Sequence, residues 1–389
     1  MGASGKTIQV FVPTFEVDEV LAEIRECLEK GWTGMGYKTV TFEDAWKNYT
    51  GLPHAHFLSS ATAGLHLALA YYKMTEAWQD GDEVISTPLT FISTNHAILY
   101  ERLQPVFADV DEYGCLDSAS VAARITSRTR AVMFVGLGGN TGQLPAVAEL
   151  CRRHGLRLIL DAAHMAGTTL AGTCPAALAD MTVYSFQAVK NLPTADSGMI
   201  CCADAVADTV VRQLSWLGIN KDTYARMGAK GDYKWLYDVE HVGFKYNGNA
   251  VMAAMGLVGL RHLDAGNAYR RQLAAWYDEA LEDVPEIVRL PMAPDCDSSR
   301  HLYSVLVMER DTVMQRLYEA GIFPGVHYLD NTRYSMYAAA AGTCPRAAAM
   351  SERIISLPMH LRLTQEDVEH VATTLTAIVM ELAAQRAVA

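Results

Sequence analysis

Residues from about 55 to 203 alternate short apolar segments with helix-sized segments, and this alternation constrains the fold more than any other feature. The apolar segments include HAHFLS, DEVIST, QPVFAD, RAVMFVG and LRLILD, and the helical ones include ATAGLHLALAYYK and LPAVAELCRRHG. Apolar strands that alternate with helices are typical of a mostly parallel sheet covered on both faces. The sequence therefore predicts an α/β fold.

A polar, aromatic stretch at 218–248 breaks this pattern and is long for a connection, which predicts a functional loop. From residue 249, two helical segments, NAVMAAMGLVGLRHLD and AYRRQLAAWYDEALED, lead to the strand HLYSVLVM and a terminal helix. A chain of 389 residues is too long for one compact core. We expect a large domain at 1–250 and a smaller C-terminal domain at 251–389.

Charge and cysteine spacing exclude several classes of protein. The net charge of −12 argues against a nucleic-acid binder. The eight cysteines form no metal-binding spacing, so we expect reduced thiols, no metal and a cytoplasmic location. Two of them, Cys201 and Cys202, should point to opposite faces of a strand. Since no run of 18 apolar residues occurs, we expect no association with a membrane.

Ligands of such sheets bind beyond the carboxyl ends of the strands, where Ser60, Thr90, Asp161 and Lys190 fall. Lys190 lies in YSFQAVKNLP, between two apolar segments, and a buried ammonium is costly unless it is paired or used chemically. Taken alone, Asp161 could be a helix cap and Lys190 a surface residue. Together they predict a pyridoxal phosphate (PLP) site, in which the carboxylate keeps the pyridine nitrogen protonated and the lysine forms the Schiff base.

A phosphate also has to be held, and the start of a helix binds anions. The segment SSATAGLHLAL places Ala61, Thr62 and Ala63 at such a start, with Gly64 allowing close packing on the sheet. Ser185, five residues before the lysine, is a second candidate donor to the phosphate.

Several ordered motifs resemble the DegT/DnrJ/EryC1/StrS sugar aminotransferase family across nearly the whole chain. They are SATAGL (60–65), GDEVISTPLTF (81–91), PVFADVD (105–111), DAAHMAG (161–167), SFQAVKNL (185–192), GFKYNGNAVMAAMG (243–256), GIFPGVHY (321–328) and LPMH (357–360). The resemblance implies the fold-type I architecture of PLP enzymes. We therefore expect a mostly parallel seven-stranded sheet flanked by helices, with a smaller C-terminal α+β domain.

The resemblance also assigns roles to individual residues. It implies that Lys190 is the Schiff-base lysine and that Asp161 pairs with the pyridine nitrogen. His164 would lie near the cofactor ring, and Phe91 would cover a ring face unless it belongs to the core. The phosphate would be held by Thr62, Ala63, Ser185 and, from a second subunit, Asn247, so the resemblance implies a homodimer with a shared active site.

The sequence departs from the family where substrate is expected. In VGLGGNTGQLP (135–145), Gly136 and Gly138 replace a histidine and a tyrosine, which predicts a flexible, donor-rich loop. Asn140 in this loop is a candidate substrate residue. His327 and Tyr328 are further candidates, where the second domain would close on the site, although both could have packing roles.

These observations predict a PLP-dependent aminotransferase that converts a nucleotide-linked keto sugar to an amino sugar, with L-glutamate as donor. One alternative is a sugar dehydratase that uses the pyridoxamine form (PMP), but the best-known group of this kind has histidine in place of the lysine. Amination of a cyclitol or another non-nucleotide ketone stays open. A non-catalytic regulatory protein with this fold is disfavoured by Lys190 and Asp161.

Overall fold

The structure, a computed structural model, describes residues 7–220 and 237–388. Its strands are β1 Ile8–Gln9, β2 His54–Leu58, β3 Glu83–Ser86, β4 Gln104–Phe107, β5 Thr129–Val135, β6 Arg157–Asp161, β7 Thr169–Leu170, β8 Met181–Ser185, β9 Gly198–Cys202, β10 Val288–Arg289, β11 Cys296–Asp297, β12 Tyr303–Leu306, β13 Ile322–Phe323 and β14 Ile354–Leu357. Its α-helices are Val17–Glu29, Tyr37–Thr50, Ala61–Thr75, Ile92–Tyr100, Ser118–Arg124, Leu144–His154, Ala205–Ser215, Ala250–Ala280, Arg310–Glu319, Pro345–Arg353 and Gln365–Val388. Residues 221–236, which make up much of the predicted functional loop, lie outside the described residues.

The central sheet has seven strands in the order β2-β9-β8-β6-β5-β3-β4. The pairings of β3 with β4 and β5, of β5 with β6, and of β6 with β8 are parallel. β9 runs antiparallel to both of its neighbours, β2 and β8. The predicted mostly parallel seven-stranded sheet is thereby confirmed.

Both faces of this sheet are covered, and the strands alternate their side chains between two cores. In β6, Ile159 packs in the core that contains the helix Ala61–Thr75, whereas Leu160 packs in the core on the opposite face. Cys201 and Cys202 divide between the same two cores, as predicted. This burial on both faces explains why the strands are almost continuously apolar.

A single helix, Ala250–Ala280, spans the two segments that are predicted as separate helices. Leu257 and Leu263 pack in a core of the central sheet, whereas Leu273 and Tyr277 pack in another core near the C-terminus. This C-terminal core includes the antiparallel sheet β10-β12-β14. The predicted division at residue 250 stays a prediction, because the helix that begins there contributes to both cores.

The N-terminal strand belongs with the C-terminal core. β1 pairs in parallel with β13, and Ile8 is buried among the side chains of that core. Phe11, two residues after β1, packs instead against a core of the central sheet. No helix in the described ranges is both long and apolar enough to cross a membrane.

The carboxyl ends of β2, β3, β6 and β8 lie at one edge of the central sheet. Asp161 ends β6 and Ser185 ends β8, while Ser60 and Thr90 follow β2 and β3 closely. Because β6 and β8 are adjacent parallel strands, residues that end them or follow them converge. The predicted site residues thus share one edge.

Candidate active site

A cavity of about 410 Å³ lies at this edge of the sheet. The predicted residues that line it are Ala61, Thr62, Phe91, Asp161, His164, Ser185, Lys190, His327 and Tyr328. These residues come from segments up to 267 positions apart in the chain, so the fold brings together most of the site that the sequence predicts.

Lys190 follows β8 in a turn that its neighbour holds in place. The Asn191 side chain donates from Nδ2 to Asn267 Oδ1 at 2.8 Å and to the Ser299 carbonyl at 2.7 Å. Burial lowers the pKa of Lys190 from 10.5 to about 8, although the charge of Asp161 acts to raise it. An amine with this pKa is partly neutral near pH 7 and is therefore a usable nucleophile.

Asp161 is a buried carboxylate with two hydrogen-bond donors. Oδ2 accepts from Thr94 Oγ1 at 2.8 Å, and Oδ1 accepts from the Ala163 N–H at 3.1 Å. Burial raises the pKa of Asp161, whereas the two donors and the charge of Lys190 act to lower it. In the described ranges it forms no ion pair, so a protonated ring nitrogen brought into the cavity would supply the missing cation.

The His164 side chain is held between a backbone amide and a tyrosine. Nδ1 accepts from the Gly138 N–H at 3.2 Å, and Nε2 lies 3.0 Å from the Tyr328 hydroxyl. Burial, with the charges of Lys190 and His327, holds the pKa of His164 well below its usual range, so the ring is neutral. Since Nδ1 accepts, the ring proton lies on Nε2 and is donated to Tyr328, whose own proton remains available to the cavity.

The predicted anion-binding end of the cavity is the start of the helix that begins at Ala61. Ser60 caps this helix, and its Oγ accepts from the Ala63 N–H at 3.1 Å. The first N–H groups of a helix have no carbonyl partner within it, and Ala61 and Thr62 line the cavity beside Ser185. Ala63 does not line the cavity and its N–H is donated to the cap, which does not support its predicted contact with a phosphate.

Two glycines bring this helix start against the sheet. A Cβ atom on Gly64 would lie 2.7 Å from Val183 Cγ1, and one on Gly198 would lie 2.6 Å from the Ala61 backbone nitrogen. Neither space admits a side chain unless neighbouring atoms move. The close packing predicted for Gly64 is confirmed.

Phe91 lines the cavity with 58% of its surface exposed, and it lies outside the core. Its ring centroid is 6.1 Å from that of Tyr328. A large apolar ring with this exposure is available to stack on a planar ligand. The structure therefore does not support the alternative that Phe91 is a core residue.

The residues present fit PLP at its ring nitrogen, its aldehyde, its phosphate and its ring plane. Asp161 offers a buried anion to the pyridine nitrogen, Lys190 a partly neutral amine to the aldehyde, and the helix start at Ala61 a set of N–H donors to the phosphate. Phe91 offers a ring to stack on the pyridine plane.

The glycine loop at 136–139 is packed, and the expectation of a flexible loop is wrong. A Cβ atom on Gly136 would collide with Met165, and one on Gly139 would collide with Ser299. Met165 thus fills the space that a histidine at 136 would need, whereas a Cβ atom on Gly138 would lie 3.4 Å from Leu302 Cβ, an ordinary contact distance.

Asn140 lies outside the cavity, and its amide is used within the protein. Nδ2 donates to the Pro291 carbonyl at 2.9 Å, and Oδ1 accepts from the Ala293 N–H at 3.1 Å. The side chain is buried, with 1% exposure. These bonds anchor the loop to the segment that precedes β11 and do not support a contact with substrate.

Asn247 is half-buried and does not line the cavity either. It forms a β-bridge with Leu58, and its Nδ2 donates to the Gly248 carbonyl at 2.9 Å. Its predicted contact with the phosphate of a second subunit stays a prediction.

Sequence reasoning missed Phe11 and His301, which both line the cavity. Their rings stack with centroids 5.2 Å apart, and His301 lies 4.3 Å from the His164 ring. His301 Nδ1 lies 3.0 Å from Asn191 Oδ1, next to the lysine. No local pattern marks either residue, because each reaches the cavity from a segment distant from the central strands.

Comparisons with known proteins agree with this geometry. The model of the DegT/DnrJ/EryC1/StrS aminotransferase family matches residues 15–376. The chain is 32% identical over 360 residues to dTDP-4-dehydro-2,3,6-trideoxy-D-glucose 4-aminotransferase from Saccharopolyspora spinosa. The alignment covers 91% of this chain and 92% of that protein.

Solved structures of aminotransferases are also similar. The aminotransferase TlmJ from Streptoalloteichus hindustanus has a TM-score of 0.89 and 32% identity, covering 97% of this chain and 100% of that one. The PMP form of Spr1654 from Streptococcus pneumoniae has a TM-score of 0.88 and 27% identity, covering 95% and 99% of the two chains, and a PLP form is similar. The chain therefore belongs to the DegT/DnrJ/EryC1/StrS family of sugar aminotransferases and is a PLP-dependent aminotransferase.

Proposed function

We propose that the protein aminates the ring ketone of a nucleotide-linked keto sugar and takes the amino group from L-glutamate. The observation that carries this proposal is the meeting of Lys190, with its pKa of about 8, and the buried Asp161 in one cavity. The relative from Saccharopolyspora spinosa, named for a dTDP-linked keto sugar, supports the choice of substrate class.

Bound PLP supplies an electron sink for the negative charge that develops when a proton leaves the carbon next to the amine. Nζ of Lys190 takes that proton from the amino donor and returns a proton as the product forms, since its pKa lies near the working pH. Asp161 holds the positive charge on the ring nitrogen, and Thr94 keeps the carboxylate oriented.

The other cavity residues position the reacting groups. Ala61, Thr62 and Ser185 hold the phosphate, and Phe91 covers one side of the ring. The Tyr328 hydroxyl, which accepts from His164, presents its proton to the cofactor or the substrate.

We further propose a homodimer in which Asn247 of one subunit completes the phosphate site of the other. Asn247 is half-buried and does not line the cavity of its own subunit, which supports this arrangement. The cytoplasmic location, which the eight unpaired cysteines fit, likewise stays a prediction.

Half-reactions test the proposal. Purified protein loaded with PLP and given L-glutamate should lose its visible absorption and release 2-oxoglutarate. The PMP form is then given keto-sugar nucleotides and, in parallel, cyclitol ketones. Recovery of the absorption with a keto-sugar nucleotide alone supports the proposal, and recovery with a cyclitol ketone alone contradicts the substrate class. Absence of any change with glutamate contradicts the proposed donor.

A further inference from the structure

His301 is held in one orientation by the side chain next to the reactive lysine. Its Nδ1 lies 3.0 Å from Oδ1 of Asn191. The ring is buried, with 1% of its surface exposed, and it stacks on Phe11 at an interplanar angle of 8°. Because Asn191 directly follows Lys190 in the chain, this hydrogen bond joins His301 to the turn that carries the reactive amine.

The hydrogen bonds around Asn191 determine which ring nitrogen of His301 carries the proton. Asn267 donates from Nδ2 to the Ala166 carbonyl at 2.9 Å, so its Oδ1 is the atom that faces Asn191. Asn191 donates from Nδ2 to this Oδ1 and to the Ser299 carbonyl, and neither oxygen can donate in return. Oδ1 of Asn191 therefore faces His301 and can only accept, which places the ring proton of His301 on Nδ1.

Nε2 of His301 is then an unprotonated acceptor that faces the cavity. Burial, with the neighbouring His164 and Lys190, holds the pKa of His301 well below its usual range, so the ring is neutral and Nε2 keeps its lone pair. Nε2 has no hydrogen-bond partner in the described parts of the chain, yet it is not closed off from solvent. Since His301 lines the large cavity, this cavity is the space that Nε2 reaches.

The cavity offers a ligand a proton as well as this lone pair. Nε2 of His164 donates to the Tyr328 hydroxyl, whose own proton remains available. The ring centroids of His164 and His301 lie 4.3 Å apart. A single hydroxyl group has both a proton and a lone pair, whereas an ammonium lacks the lone pair and a carboxylate lacks the proton. These groups therefore suit a hydroxylated ligand, and of the two substrates it is the ketone that carries hydroxyl groups.

We propose that Nε2 of His301 accepts a hydrogen bond from a hydroxyl group of the ketone substrate, next to the reacting carbonyl. The carbonyl carbon has to reach the cofactor at Lys190, and Asn191 joins His301 to that position. The protein should therefore select ketones that carry this hydroxyl over ketones that lack it. This inference rests on the proposed function only for a ketone as the substrate.

The position of the proton on His301 is measured without turnover. Protein labelled with nitrogen-15 in its histidines is studied by NMR, and the signals of His301 are those lost in His301→Asn. They should show a protonated Nδ1 and an unprotonated Nε2 in the wild type. A proton on Nε2 at neutral pH, in a neutral or a charged ring, would overturn the inference.

Binding to the PLP-loaded protein tests the contact with substrate, since a ketone does not react with that form. Two probes are titrated by calorimetry: a dTDP-linked keto sugar with a hydroxyl group next to the ketone, and its deoxy analogue. His301→Asn keeps an amide donor for Asn191 but ends short of Nε2. It should weaken binding of the hydroxylated probe by ~5- to 50-fold and leave the analogue unchanged.

Two further variants separate loss of the acceptor from a general disturbance. His301→Gln can place its amide oxygen near the position of Nε2, so it should restore part of the affinity for the hydroxylated probe. The matched control is His262→Asn, an exposed position beside Glu19, which should bind both probes as the wild type does. Equal affinity of the wild type for the two probes, or equal losses for both in His301→Asn, would overturn the inference.

The half-reactions separate this inference from the proposed function. His301→Asn should need the same concentration of L-glutamate as the wild type for its absorption change; a higher concentration would assign the acceptor to the amino donor and overturn the inference. If only a hydroxylated cyclitol ketone binds, and His301→Asn weakens that binding, the proposed substrate fails and the inference stands. If the wild type and His301→Asn aminate the hydroxylated keto sugar equally well, the inference fails alone. If neither ketone binds, both fail.

Discussion

Lys190 should react as a neutral amine at a pH far below that needed by an ordinary lysine. Its pKa is lowered from 10.5 to about 8 because the cavity wall excludes water from the ammonium group. At pH 7 the neutral fraction then rises from ~0.03% to ~9%, a gain of roughly 300-fold. This gain lets the amine attack an aldehyde without a separate base.

Competitive labelling measures this pKa directly. Protein freed of cofactor is treated briefly with an amine-reactive acylating reagent at a series of pH values, and the peptide that contains Lys190 is quantified by mass spectrometry. The same peptide from protein labelled in denaturant is the reference. The labelling midpoint should lie near pH 8 in the folded protein and near the ordinary lysine value in the unfolded protein.

Asp161→Asn extends the test, because the carboxylate acts to raise the pKa of Lys190 against the effect of burial. Removing it should move the midpoint of the folded protein further below 8. A midpoint near 10.5 in the wild type would refute the claim that burial dominates. A rise in the variant would show that the two side chains do not interact as described.

Three measurements, one with the same Asp161→Asn variant and two with new variants, test further properties of the site. Asp161→Asn should slow the absorption change with L-glutamate by two to four powers of ten, since losing one partner of a buried charge pair costs about 3–5 kcal/mol; a rate near that of the wild type would exclude a pair with the ring nitrogen. Gly136→Ala should lower the free energy of unfolding in urea by about 1–3 kcal/mol, because the added methyl meets the buried Met165. An unchanged urea midpoint would mean that the loop accommodates the added methyl group without loss of stability. Phe91→Ala should change the stability of the cofactor-free protein by less than about 0.5 kcal/mol, given its exposure, yet weaken PLP binding in a fluorescence titration. If Phe91→Ala binds PLP as tightly as the wild type does, Phe91 does not contribute to cofactor binding.

The strands and the meeting of Asp161 with Lys190 could be predicted from the sequence, because each is marked by a local sequence pattern. Burial on both faces makes a strand such as β6 continuously apolar, and the charged residue that ends it stands out. The sequence predicts that Asp161 and Lys190 meet, because the carboxyl ends of parallel strands share one edge. The structure places both side chains in one cavity.

The continuity of the helix Ala250–Ala280 and the positions of Phe11 and His301 in the cavity lining could not be predicted in this way. The helix Ala250–Ala280 has apolar residues along its whole length, and nothing in their spacing shows that Leu263 and Leu273 pack in different cores. Phe11 and His301 reach the cavity through tertiary contacts between distant segments. Local periodicity carries no information about such contacts.

The glycine loop shows a different limit of sequence reasoning. Glycines at 136 and 138 indicate which side chains are absent, but the sequence does not show what fills the space. In the structure Met165 fills it at Gly136, and the Gly138 N–H is donated to His164. The loop at 136–139, with its three glycines, is therefore held in place by its surroundings.

The position of the lysine that carries the cofactor decides whether Lys190 forms the Schiff base. The PLP-loaded protein is reduced with borohydride, digested and analysed by mass spectrometry to locate the lysine that carries the cofactor. We expect the added mass on the peptide that contains Lys190 and its loss in Lys190→Ala. An adduct on another lysine, such as Lys245, or no adduct in protein that binds PLP, would contradict it.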